Sequence, residues 1–274
     1  VITFVVLATL GVVVVVGFVW WICRRRRDRA AIVAGPFPIV LVHGFMGFDE
    51  VAVLGRRLRY FRGVVEALVD DGADVHVVRL PPVASVRERA AALTAFVEQL
   101  AAPRVNIVAH SMGGIDARFA IAELGLAPKV AALVTVGTPH RGTPLAHAGN
   151  SLPARALRVV LESAGVSSSA TDWLTPEQMD QFNDQVADAP EVYYASVVGR
   201  PQTEQTNLPL RTSRRFLDRR AGTSDGIVPA ASQVWGDLLF EVPADHWAQV
   251  GWSKRFDARP LYRDIVQHLR ARGL

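Results

Sequence analysis

Cysteine is all but missing. Cys23 is the single one in 274 residues, so no disulfide can form within the chain. Lysine is scarce too: Lys129 and Lys254 stand against 28 arginines, a bias of overall composition and not of a site. Internal repeats and low-complexity tracts are absent, which sets aside repeat architectures. Charge is also unevenly supplied. The formal net charge is +4, and Arg24-Arg25-Arg26-Arg27-Asp28-Arg29 carries all of it. The 245 residues that follow are neutral as a whole, so no nucleic-acid partner is expected. What is present is apolar: 50% of residues are hydrophobic, enough for one large domain with a substantial core.

Residues 1–23 hold no charged side chain. At ~1.5 Å per residue, a helix of that length crosses a ~30 Å hydrocarbon core. A cleavable signal peptide needs basic residues before the apolar run and a small-x-small site after it. Trp20-Trp21-Ile22-Cys23 offers no such site. A membrane anchor needs the length, an interfacial aromatic pair and a basic flank, and all three are here. The expectation is a single-pass transmembrane anchor over 1–23, a basic juxtamembrane linker over 24–37 and the main domain over 38–274. The positive-inside rule then puts that domain in the cytoplasm. A basic stretch upstream of Val1 would reverse this and make the domain periplasmic or secreted. Cys23 reads as an ordinary membrane-end residue, with palmitoylation as the alternative.

Beyond Gly35-Pro36, Pro38-Ile39-Val40-Leu41-Val42 is a continuous apolar strand of the kind buried on both faces of a parallel sheet. It runs into His43-Gly44-Phe45-Met46-Gly47-Phe48-Asp49. Helical spacing follows at Val64, Val65, Leu68 and Val69 and ends at Gly72. Further strands are expected over 75–80, 105–109, 130–136, 192–198 and 238–242. Ser85 opens a helix, with Glu88 completing a capping box and an apolar stripe at Val86, Ala90, Leu93, Val97 and Leu100. Strands alternating with helices predict an α/β fold, a mostly parallel sheet covered on both faces. Residues 144–190 break the rhythm. Leu152, Leu157, Val160 and Leu161 form one face of a helix, Ser167-Ser168-Ser169 a hinge, and Thr175-Pro176-Glu177 another helix start. This insertion is expected as a cap or lid, with extra packing helices as the alternative.

The centre of the chain is Val105-Asn106-Ile107-Val108-Ala109-His110-Ser111-Met112-Gly113-Gly114. An apolar, β-branched run stops at small residues, and helical spacing resumes at Ile115, Phe119 and Ala122. A serine between strand and helix sits on a sharp turn, and Ala109 and Gly113 let that turn close. This is the G-x-S-x-G nucleophile elbow with Ala in place of the first Gly. A serine hydroxyl needs a base, and the base an orienting carboxylate. With the chain order Ser, then acid, then His, only His246 and His268 lie late enough. His268 falls in a terminal amphipathic helix, whereas His246 follows a strand end, so His246 is the expected base. Asp225, in Thr223-Ser224-Asp225-Gly226, is the expected acid. Asp218 among arginines, Asp237 before a strand and Asp245 beside the histidine fit less well. The oxyanion donors are expected from the backbone N–H groups of Phe45 and Met112. His43 is expected to brace its loop, and His110, His140 and His147 to be structural or exposed.

With these motifs in hand, the sequence resembles the bacterial triacylglycerol lipases of the Pseudomonas and Burkholderia type, in the α/β-hydrolase superfamily. The likeness is carried by His43 to Asp49, Asp71-Gly72-Ala73, Val105-Asn106-Ile107 with the elbow, and Gly137-Thr138-Pro139-His140-Arg141-Gly142-Thr143. It thins over the cap and resumes at Leu174-Thr175, Phe182-Asn183, Tyr193-Tyr194 and Ser224-Asp225-Gly226. It implies hydrolysis of lipid esters through an acyl-enzyme on Ser111, with no cofactor. Those lipases are usually exported, and many carry a disulfide. They also bind a structural calcium, partly through an Asp two residues after the catalytic histidine. Here that position is Ala248, and the partner position falls near Gln205, so no metal site is expected. A phospholipase or acyltransferase would use the same triad, and a non-catalytic membrane module would need none of it.

Overall fold

The computed structural model describes residues 35–45, 50–53, 56–82, 84–148 and 173–274. The anchor expected over 1–23, the basic run after it, the 152–164 lid helix and the serine hinge lie outside the described residues. Among the described residues, no helix is long and apolar enough to cross a membrane. Gly35–Leu274 forms one compact unit.

Six strands form a parallel sheet in the order β4-β1-β5-β6-β7-β8: β1 (Ile39–Val42), β4 (Val75–Val77), β5 (Val105–His110), β6 (Val130–Val136), β7 (Tyr193–Gly199) and β8 (Asp237–Val242). A separate antiparallel ribbon pairs β2 (Glu50–Val53) with β3 (Arg56–Arg59). Every residue of β1, β5 and β6 is buried, as the unbroken apolar runs require of strands covered on both faces. Val105, Ile107 and Ala109 alternate into a core shared with Ala90, Leu93 and Val97 of α2 (Val86–Glu98) and Ala117, Ala120 and Ile121 of α3 (Met112–Glu123). A second pair, α1 (Val64–Asp70) and α7 (Ala258–Ala271), packs together. The α2 start is the expected capping box, with Ser85 and Glu88 each bonded to the other's backbone N–H. β4 is shorter than its apolar run. Past Val77 the Val78 N–H still reaches the Leu41 carbonyl (3.1 Å), and the Leu80 N–H donates to the His43 ring (3.1 Å).

The inserted segment leaves and returns at one place. The Thr143 N–H donates to the Leu174 carbonyl at 2.9 Å, closing its base. The short helix α4 (Leu145–Ala148) leads out of that base, and past the insertion α5 (Pro176–Gln185) starts at an N-cap on Thr175, whose hydroxyl accepts from the Gln178 N–H. Met179, Phe182 and Val186 then pack with Leu174 against Met112 and Ile115 of α3. This described part of the 144–190 region is apolar scaffold under the elbow helix. Between α5 and α7 lies α6 (Arg211–Ala221), which the sequence reading did not anticipate.

Candidate active site

In a parallel sheet all strands end on one edge, and loops meet there. The serine, the base and the first-strand loop follow β5, β8 and β1 respectively, so chain order alone brings them to that edge. Ser111 joins β5 to α3 with φ 57° and ψ −133°, and it is the one non-glycine residue with positive φ among the described residues. The turn is held by main-chain bonds: Ser111 N–H to the Val136 carbonyl (2.9 Å) and Gly114 N–H to the Ser111 carbonyl (3.1 Å). Its tightness dictates the small residues around it. A Cβ on Gly113 would lie 2.8 Å from the His43 carbonyl oxygen, and one on Gly44 would lie 2.7 Å from the Ser111 Cβ.

The three expected groups come together. His246 Nε2 lies 3.0 Å from Ser111 Oγ, and His246 Nδ1 lies 2.8 Å from Asp225 Oδ2. Asp225 is fully buried. Its Oδ1 accepts from the Ile227 and Val228 N–H groups (2.9 and 2.7 Å) and its Oδ2 also accepts from Gln249 Nε2 (3.1 Å). A carboxylate held by that many donors cannot rotate. Asp245 turns away from the histidine, as adjacent side chains do. It accepts from the Ala248 N–H (2.8 Å) and, on the 200–210 loop, from the Asn207 N–H (2.5 Å) and Nδ2 (3.1 Å). His268 sits elsewhere, stacked on Tyr193 at the opposite end of the sheet. Asp218 pairs with Arg214 and also accepts from the Ser224 hydroxyl. Asp237 accepts from the Tyr193 hydroxyl.

Burial holds two histidines near the site neutral. That of His43 lowers it to about 4, and that of His110, aided by the charge on His246, lowers it well below the ordinary range. His43 does brace its loop: Nε2 accepts from Leu80, so Nδ1 carries the proton and donates to the Gly44 carbonyl (2.9 Å). His140 is buried and stacks on Trp235, and His147 is exposed beside Glu177.

Arg89 was legible but missed. It falls at i+3 from Val86, within the apolar stripe of α2, and is fully buried. Its guanidinium donates to Asp116 Oδ2 (2.8 Å), Pro81 O (2.8 Å), His43 O (2.8 Å) and Gly44 O (3.3 Å). Burial pushes the Asp116 carboxyl up to about 7 against the opposing pull of Arg89. In a trans peptide C=O and N–H point in opposite directions. Arg89 and His43 grip the Gly44 carbonyl, so the Phe45 N–H is aimed away from them. Met112 opens α3, so its N–H has no intrahelical acceptor. No signal marked Gln249.

The related lipases' calcium does not fit these residues. Ala248 has no side-chain oxygen, its carbonyl accepts from the Gly251 N–H (3.0 Å), and Gln205 Oε1 already accepts from the Gln202 N–H at 2.7 Å. Among the described residues no three His, Cys, Asp or Glu side chains gather as a metal site.

Comparison with known proteins agrees with this geometry. The chain is 35% identical to a triacylglycerol lipase of Vibrio cholerae over 144 residues, 51% of this chain. A Pseudomonas fragi triacylglycerol lipase is 27% identical over 87% of this chain and 97% of its own length. The aligned stretch spans only 41% of the Vibrio relative, and 35% and 31% of triacylglycerol lipases from Pseudarthrobacter phenanthrenivorans and Burkholderia plantarii. Among solved structures, the fold is similar to a metagenomic carboxyl esterase (TM-score 0.75, 23% identity, covering 87% of this chain and 76% of that one). It is also similar to a Bacillus licheniformis lipase in mature form (TM-score 0.68, 24% identity, covering 84% and 91%). The model of the alpha/beta hydrolase family matches residues 39–271, from the first sheet strand to the end of the last helix, and the chain belongs to that family.

Proposed function

We propose that the protein is a serine hydrolase of carboxylic esters, acting on lipid esters of the acylglycerol class. The observation that carries the reading is the unbroken hydrogen-bonded path from Asp225 through His246 to Ser111, at 2.8 and 3.0 Å. Ser111 Oγ attacks the ester carbonyl carbon as His246 Nε2 takes its proton, and Asp225 holds the resulting imidazolium by Nδ1–H. The oxyanion accepts from the Phe45 and Met112 N–H groups. As the tetrahedral species collapses, His246 gives the proton to the leaving alkoxide, which departs as the alcohol and leaves an acyl group on Ser111. Water, deprotonated by His246, repeats the attack and frees the acid. The lipid preference is supported by the lipase relatives.

The test is labelling by a fluorophosphonate together with a p-nitrophenyl ester series. The label is expected on Ser111, and kcat/KM is expected to rise from acetate towards longer acyl chains. Absence of labelling on the folded protein would remove the mechanism, and a steady fall beyond butyrate would make it a small-ester esterase.

Arg89 aims an oxyanion donor in this reading, and misplacement by about 1 Å can cost ~10² in rate. Arg89→Lys keeps the charge opposite Asp116 but cannot reach four acceptors at once. The expected result is a ten- to hundredfold loss in kcat with KM little changed. An unaltered kcat would show that the loop holds its shape without the guanidinium.

A further inference from the structure

One polar path near the serine has no part in the proton transfers above. Tyr60, just after β3, places its hydroxyl 2.7 Å from His110 Nδ1 and 3.2 Å from the Gly44 N–H. His110 is buried, and its Nε2 lies 3.0 Å from the His246 carbonyl oxygen. The direction of each bond follows from chemistry alone. A carbonyl only accepts, so His110 Nε2 carries the ring proton and Nδ1 is the acceptor. The Tyr60 O–H therefore donates to Nδ1, and its oxygen accepts from Gly44. The path runs from Gly44 N–H to Tyr60, to His110, and from His110 Nε2–H to the backbone of His246. One end is the residue before Phe45, and the other is the base itself.

We propose that Tyr60 and His110 form a positioning bridge that fixes the distance between the oxyanion donors and the base. The inference rests on the roles proposed above for Phe45 and His246. The bonds of both side chains go to the main chain of Gly44 and of His246, so the role assigned to them is positioning. The device suits its place. The His110 and His246 rings lie 4.5 Å apart, and a charged His110 would oppose the imidazolium that forms on His246. Held neutral by burial, His110 links the two loops without adding a charge.

The test is a double-mutant cycle in the full chain on a soluble short-chain ester. Tyr60→Phe removes the hydroxyl alone. His110→Gln keeps a donor near the Nε2 position but removes the Nδ1 acceptor, so it cuts the same bond from the other side. Each variant is expected to lose ten- to hundredfold in kcat, with KM within about twofold. Affinity for a boronic acid, which forms a tetrahedral adduct on the serine, is expected to weaken in parallel. The double variant is expected to be no worse than the poorer single, because both break one bridge. Full kcat in either folded variant, or losses that multiply independently, would overturn the bridge. So would losses in kcat with no weakening of the boronic acid. Ser111→Ala serves as the control. If it is inactive while Tyr60→Phe is normal, the bridge fails and the serine mechanism stands; if it is active, both fail.

Discussion

Ser111→Ala is expected to lower kcat on any carboxylic ester by about 10⁶, the loss seen when a comparable triad is deprived of its nucleophile. Among the described residues, the hydroxyls near Ser111 are already engaged. His246 Nε2 is directed at Ser111 Oγ at 3.0 Å, whereas Thr138 Oγ1 is committed to the Ser111 carbonyl at 2.8 Å and the Tyr60 hydroxyl to His110 Nδ1 at 2.7 Å. A water activated by His246 would still meet the donors at Phe45 and Met112, so a residual rate about 10³–10⁴ above water should survive. The fold should be untouched, because among the described residues the side chain bonds to His246 alone. Steady-state kinetics and circular dichroism check both halves. Ester turnover near the wild-type rate would place the chemistry elsewhere.

His246→Ala should cost nearly as much, and Asp225→Asn about 10⁴. The second loss has a specific cause. Asp225 Oδ1 is fixed by the Ile227 and Val228 N–H groups, so an Asn would keep its carbonyl oxygen there. Its NH₂ would then face His246 Nδ1 and force that nitrogen to accept. The proton would move to Nε2, which could no longer take one from Ser111. His246→Ala combined with Asp225→Asn should be scarcely slower than His246→Ala alone, since the groups act as a unit. Multiplying losses would show that Asp225 has a second task. Loss of activity in His268→Ala would contradict the base assignment altogether.

The sequence carried what depends on period and chain order. The buried runs at 39–42, 105–110 and 130–136 are strands because only a two-sided cover accommodates continuous apolar residues. The proposed base was legible because His246 follows a strand end, and the proposed acid because Asp225 is a loop aspartate beside a glycine, between the serine and the histidine in chain order. The β2–β3 ribbon was not legible: its strands are four residues each, too short for a period to declare itself. Arg89 and Asp116 were missed because a charge within a helix is ordinarily solvated, and it takes their mutual contact at 2.8 Å, with the carbonyls of Pro81, His43 and Gly44 on the guanidinium, to make burial tolerable. The Tyr60–His110 contact joins residues 50 positions apart, and no local pattern foretells such a pairing.

The Ser111 backbone has a consequence for how this protein can change. At φ 57° and ψ −133° a side-chain-bearing residue sits in a sparsely populated region, at a cost of about 1–3 kcal/mol. Glycine would occupy that turn without the steric conflict, but glycine has no hydroxyl. If Ser111 is the nucleophile proposed above, the most robust polypeptide and the most capable one are different molecules at this position. Any laboratory regime that rewards folding alone would drift towards glycine there and enrich durable, inert descendants. A search for hardier variants of this chain therefore has to be screened on turnover from its first round.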